Sequence, residues 1–175
     1  MASRMLNALK KTREIHAVGN LNSGRVETIA HGAIAKADTE NYSLVTLGFS
    51  ATGEREFTVA KADSVAKDLY LLAGAEELFT VGGVQDSYAD FYVRAGERAR
   101  IVVLKKGLRF ETSNFKVKTP ATPVKNGDVV EWNAVDKKFE VVVTQTAGYV
   151  GAKIIVVAPK GNTLDGQKCM RFEVQ

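Results

Sequence analysis

From Arg25 to the C-terminus, apolar residues keep returning at every second position, between short clusters of glycine, asparagine and charge. Successive side chains of an extended chain point to opposite faces, so this pattern suits half-buried strands, and its repeated short strands point to a barrel or sandwich rather than a βαβ sheet. Val45, Leu47 and Phe49 alternate with Leu44, Thr46 and Gly48, and Ala51-Thr52-Gly53-Glu54 then turns the chain towards Phe57 and Val59. Residues 98–104 and 108–112 flank Lys105-Lys106-Gly107, a tight turn that glycine favours, and read as a two-stranded hairpin.

A second hairpin follows Asn126-Gly127. Val130 and Trp132 share one face, residues 133–138 connect, and Phe139, Val141 and Val143 continue that face on the return. Residues 153–158 (KIIVVA) read as a buried strand. The chain then ends with Met170, Phe172 and Val174 inward and Cys169, Arg171 and Glu173 outward. One stretch resists this reading. Over 63–79, Val65, Leu69, Leu72 and Ala73 fall at helical spacing with Ser64 as a cap, yet Leu69-Tyr70-Leu71-Leu72 equally suits a short buried strand. The fold class expected is all-β with at most one short helix, a small barrel or sandwich.

Residues 1–20 differ from the rest. Arg4, Lys10, Lys11 and Arg13 stand against the single acid Glu14, and Met5, Leu6 and Leu9 make a weak helical face. These seven residues are expected to form a basic arm that orders on a partner; a terminus with no role is the plain alternative. Residues 21–175 read as one β-rich body, with residues 116–125, containing Pro120 and Pro123, as a long crossing loop.

With 45% apolar and 25% charged residues in a chain of 175, there is enough material for one domain with a real core. No apolar run approaches the roughly 20 residues of a membrane span. The N-terminus has no secretory pattern, so the protein is expected to stay in the cell that makes it. A single cysteine, Cys169, excludes an internal disulfide and a multi-cysteine zinc site.

The chemistry of catalysis is sparse. His16 falls in the arm, where no fixed geometry is expected, and His31 reads as a turn residue; neither has an orienting partner nearby in sequence. Glu76-Glu77 and the acids Asp86 and Asp90 lack a calcium-loop pattern, and Val81-Gly82-Gly83-Val84 lacks the lysine and serine of a phosphate loop. No enzymatic activity, metal or cofactor is expected. A net charge of +4 fits nucleic acid or an acidic protein surface. Arg94, Arg98, Arg100, Lys105, Lys106 and Arg109 cluster around the first hairpin, but Phe91, Tyr92 and Phe110 beside them are claimed by the core. The cluster therefore reads as a solvated edge or a surface for an acidic partner, and nucleic acid is the weaker reading.

Several segments in order also resemble a known family. They are VETIAHGAI from Val26, DLYLLA from Asp68, GERARIV from Gly96, GLRFETS from Gly107 and VKNGDVVEW from Val124. Together they resemble the auxiliary capsid proteins of tailed bacteriophages, called decoration or cement proteins. The resemblance implies a β-barrel or β-tulip and a non-enzymatic role on major capsid subunits, with no catalytic residues to carry over. It implies a virion location after synthesis in the host cytoplasm, with self-association left open. Another phage component (tail, head fibre or adaptor) and a small nucleic-acid-binding barrel are the competing readings. Strand addition and apolar anchors on a repeated lattice would supply avidity without turnover.

Overall fold

The computed structural model describes residues 15–49, 57–61, 69–74, 80–81, 84–85, 88–119 and 122–175. The fold is all-β, and its one helical turn among the described residues is the 3-10 segment Tyr88–Asp90. Thirteen strands build two large sheets: β1 Gly19–Leu21, β2 Ala33–Ala35, β3 Ser43–Phe49, β4 Phe57–Lys61, β5 Tyr70–Leu72, β6 Arg98–Ala99, β7 Ile101–Val103, β8 Arg109–Thr112, β9 Phe115–Val117, β10 Val129–Asn133, β11 Lys138–Val142, β12 Ile154–Ala158 and β13 Met170–Val174. Two-residue strand pairs add small ribbons, among them Thr39–Glu40 with Tyr92–Val93 and Thr163–Leu164 with Gln167–Lys168.

The wide sheet has seven strands in the order β1-β8-β13-β12-β10-β11-β9. The hairpin predicted after Asn126-Gly127 is present as β10 and β11, with Val130 opposite Val141 and Trp132 opposite Phe139. Its inward face is aromatic. Phe110, Phe139 and Phe172 are wholly buried and meet at centroid separations of 5.3, 5.4 and 5.6 Å, and Trp132 packs edge-on against Phe139 at 5.2 Å. Such tilted and edge-on contacts suit the ring quadrupoles. Strand β13 alternates as expected, with Met170, Phe172 and Val174 inward. Cys169 does not face outward: it is buried with Val18 and Ala89 beneath the 163–168 ribbon. Val143, expected on the core face, lies just past the end of β11 and is 65% exposed.

The second sheet has six strands in the order β6-β2-β4-β3-β5-β7. Its first and last strands, β6 and β7, are successive pieces of one stretch interrupted at Arg100, so the sheet curls until both its ends meet that stretch. No continuous ladder closes it into the barrel that was one of the expected forms. Along β3, β5 and β7 both faces are covered. Leu44, Leu71 and Val102 join the aromatic core of the wide sheet, while their chain neighbours Val45, Leu72 and Ile101 fill the inside of the curl with Ala33, Ala35 and Ala99. Of the two readings open for 63–79, Tyr70–Leu72 is a strand; residues 62–68 and 75–79 lie outside the described residues.

The hairpin expected over 98–112 is not one. β7 pairs with β5 in the curled sheet, whereas β8 pairs with β13 and β1 in the wide sheet. The turn survives, with Leu108 N–H donating to Lys105 C=O and Gly107 at φ +85°, but it carries the chain across the sandwich. Val102 and Phe110 both belong inside the shared core, and crossing lets them face each other from opposite sheets instead of lying side by side in one. The segment Val26–Ile34 makes a single bridge, Thr28 to Val102, before β2, and His31 and Gly32 both take positive φ between them. The crossing loop begins later than predicted, since Lys116 and Val117 belong to β9, parallel to β11.

Register between β8 and β13 is fixed by charge as well as by apolar fit. Arg109 stands opposite Glu173 and Glu111 opposite Arg171, so a slip of two residues either way sets like charges against each other. Glu111 is wholly buried and accepts from Arg171 Nε at 2.6 Å and from Asn162 N–H at 3.3 Å, which satisfies a charge that burial alone would make costly.

Candidate partner-binding surface

Residues 1–14, and with them Arg4, Met5, Leu6, Leu9, Lys10, Lys11 and Arg13, lie outside the described residues. The rest of the expected arm, residues 15–20, runs along the body. His16 N–H donates to Ala89 C=O at 2.7 Å, and Val18 is 1% exposed with its carbonyl accepting from Ser113 N–H. Gly19 and Asn20 open β1. His16 has a fixed geometry after all: Nδ1 meets Glu40 Oε1 at 2.8 Å, and the ring lies 4.5 Å from that of Tyr92. Glu40 also accepts from Ala17 N–H at 3.0 Å. Burial pushes the Glu40 carboxyl up, but the bonds from His16 and Ala17 outweigh it and hold it below the ordinary carboxylate value. Sequence spacing could not have shown this, because the partners are 24 residues apart.

A cavity of about 330 Å³ opens beside this root, walled by His16, Glu40, Tyr92, Trp132 and Lys137. Thr39 Oγ1 donates to Ala37 C=O, and Ser43 Oγ accepts from Asn114 Nδ2. Asn114, buried at 3%, spends its side chain as a clip, donating to Tyr42 C=O and Lys137 C=O as well.

The edge of the wide sheet lies just beyond the root. In the β1–β8 ladder Val18 C=O and Asn22 N–H bond to β8, so Gly19 and Leu21 aim their N–H and C=O away from it. They line a groove of about 450 Å³ with Tyr42, Tyr88 and Arg100. Tyr88 is 41% exposed. Gly19 is required here, because a Cβ at that position would fall 2.5 Å from both the Glu111 carbonyl and the Tyr42 ring.

The six basic residues of 94–109 do not form one surface. Arg94 stacks over the Tyr92 ring at 5.9 Å, Arg98 donates to His31 C=O, and Arg100 Nε donates to Ala73 C=O at 3.0 Å. Lys105 pairs with Glu27 across a second groove of about 820 Å³, and Arg109, also in its lining, pairs with Glu173 on the neighbouring strand. Of the aromatics beside them, Phe91 and Phe110 are buried, as expected. Among the described residues no group of three or more histidine, cysteine or acidic side chains is arranged to hold a metal ion.

Two comparisons bear on this chain. Residues 12–175 match the family described as YonC prophage protein. The SPbeta prophage-derived uncharacterized protein YonC of Bacillus subtilis (strain 168) is 36% identical over 183 residues, covering 99% of this chain and 98% of that protein.

Proposed function

Since the chain belongs to the YonC prophage protein family and is thus phage-derived, we propose that it is a non-enzymatic virion structural protein that binds and reinforces the capsid shell. The observation that carries the reading is the outward edge of β1, two residues past the root that His16 and Glu40 hold. An extended strand of a shell subunit can pair at the half-buried Leu21, since Gly19 itself is buried, while the basic residues of 1–14 engage acidic groups on the same subunit. Each contact is small. Repetition over a symmetric lattice multiplies them, and the root fixes residues 15–20 to the body. The body needs no moving part for this work, and its two packed sheets are suited to bearing load.

The test is attachment to shells. Capsid particles assembled without this protein should retain it through sedimentation, and a chain lacking residues 1–14 should stay folded yet be lost from the pellet, with the intact chain's attachment weakening as salt rises. Retention of the truncated chain would move the contact to the body. Sedimentation with tails instead of heads would assign the protein to another part of the particle.

A further inference from the structure

We infer that the groove of about 820 Å³ between residues 22–27 and 103–109 binds an extended acidic polypeptide segment. Around it stand four cations, Arg25, Lys105, Lys106 and Arg109, against two carboxylates, Glu27 and Glu173. Arg25 and Lys106 are exposed and have no ion-pair partner among the described residues. The Lys105 and Arg109 pairs are themselves exposed, with the lysine 61% and the arginine 55% accessible, so both cations can turn to an incoming carboxylate at little cost.

The lining selects polypeptide over nucleic acid. Among the described residues no aromatic side chain lines the groove, so unpaired bases would have nothing to stack on. A peptide carries what a phosphate backbone lacks, a regular series of N–H donors. Asn22 Oδ1 lies buried in the wall with no donor among the described residues, and a small turn of the amide presents it to such an N–H. Val26, Val103 and Leu108 supply apolar wall for side chains between the acids. The inference stands on this groove alone and needs neither the arm nor a shell.

The experiment is fluorescence anisotropy with a labelled oligo-glutamate peptide and a single-stranded oligonucleotide of similar charge, using the full chain and its Arg25→Glu/Lys106→Glu variant. Lys160→Glu serves as a charge control, and the melting temperature of each protein is recorded. The basic arm is present in every case, so the difference between chains reports the groove. Oligo-glutamate should bind the wild type about tenfold more tightly than the double variant, at unchanged melting temperature, and Lys160→Glu should behave as wild type. Equal binding by the double variant, or a larger loss for the oligonucleotide than for the peptide, overturns the inference.

Discussion

The wide sheet and the curled sheet solve the same problem with different side chains. The wide sheet fills its inward face with Phe110, Trp132, Phe139 and Phe172; its other face carries charge, as in the exposed Arg109–Glu173 rung and the Glu111–Arg171 rung, where Glu111 is wholly buried. The curled sheet is covered on both faces along β3, β5 and β7 and packs its inside with Ala33, Ala35 and Ala99 alongside Val45, Leu72 and Ile101. A sheet that bends back on itself leaves little room within, and alanine on successive strands is how this sequence meets that limit. Phe91 and Val93, from the stretch after the 3-10 turn, complete the inner cluster. Side-chain volume therefore follows curvature, and the two regions should fail in opposite ways.

The largest effect is expected where the wide sheet loses volume. Trp132→Ala or Phe139→Ala should cost about 3–5 kcal/mol, because each ring is almost wholly enclosed and its neighbours cannot close the gap. Denaturant titration measures it, and a variant unfolding at nearly the wild-type midpoint would remove Trp132 from the core. The curled sheet should instead suffer from added volume. Ala99→Leu is expected to cost about 1–3 kcal/mol, whereas the volume-conserving Ile154→Leu in the wide sheet should stay below about 1.5 kcal/mol. If Ala99→Leu is tolerated as easily as Ile154→Leu, the interior of the curl is looser than its ladder implies.

The same contrast explains what could be read from sequence. Where one face is buried, alternation survives: β10, β11 and β13 were legible residue by residue. Where both faces are buried, alternation vanishes, and Leu69-Tyr70-Leu71-Leu72 or Ile101-Val102-Val103 shows a plain apolar run that a helix could share. The partner of β7 was illegible for another reason. A Lys-Lys-Gly turn looks the same whether it returns the chain to its own sheet or carries it to the facing one, and only the competing claims of Phe110 on β13 and Val102 on β5 decide. The functional surface was less legible still. The seven arm residues were singled out by composition, but the His16–Glu40 root, the β1 edge and the split of the basic cluster between two sheets depend on contacts from distant parts of the chain.

A smaller effect should separate the charged rungs from the apolar core. Arg109→Glu sets two acids opposite each other at a partly exposed rung, which should cost about 0.5–1 kcal/mol, and adding Glu173→Arg should restore most of it. Chemical denaturation of the four proteins in a double-mutant cycle gives the coupling directly. A coupling near zero would leave register between β8 and β13 to Phe110, Phe172 and Met170 alone.

The smallest effect belongs to the arm root, which is fastened to the body by hydrogen bonds to one carboxylate. Glu40 is held below its ordinary value of 4.5, so the ionised form is the one the folded chain favours. Its contribution is complete above that ordinary value and drains away as pH falls through the lowered folded value, because both folded and unfolded chains are then protonated. Glu40→Gln keeps the shape but loses the charge-assisted bonds to His16 and Ala17, which should cost about 1 kcal/mol at neutral pH. The gap between wild type and variant should close in acid, where the wild-type carboxyl is itself neutral. The loosening should also be local. Amide exchange in the variant should rise over residues 15–21 and at the Thr39–Glu40 ribbon, while β10 and β11 keep their protection. A stability gap that persists unchanged at low pH would mean that Glu40 acts by packing and not by charge. Uniform loss of protection would mean that the root is continuous with the core of the wide sheet, and that residues 15–20 are as much a part of its foundation as Trp132.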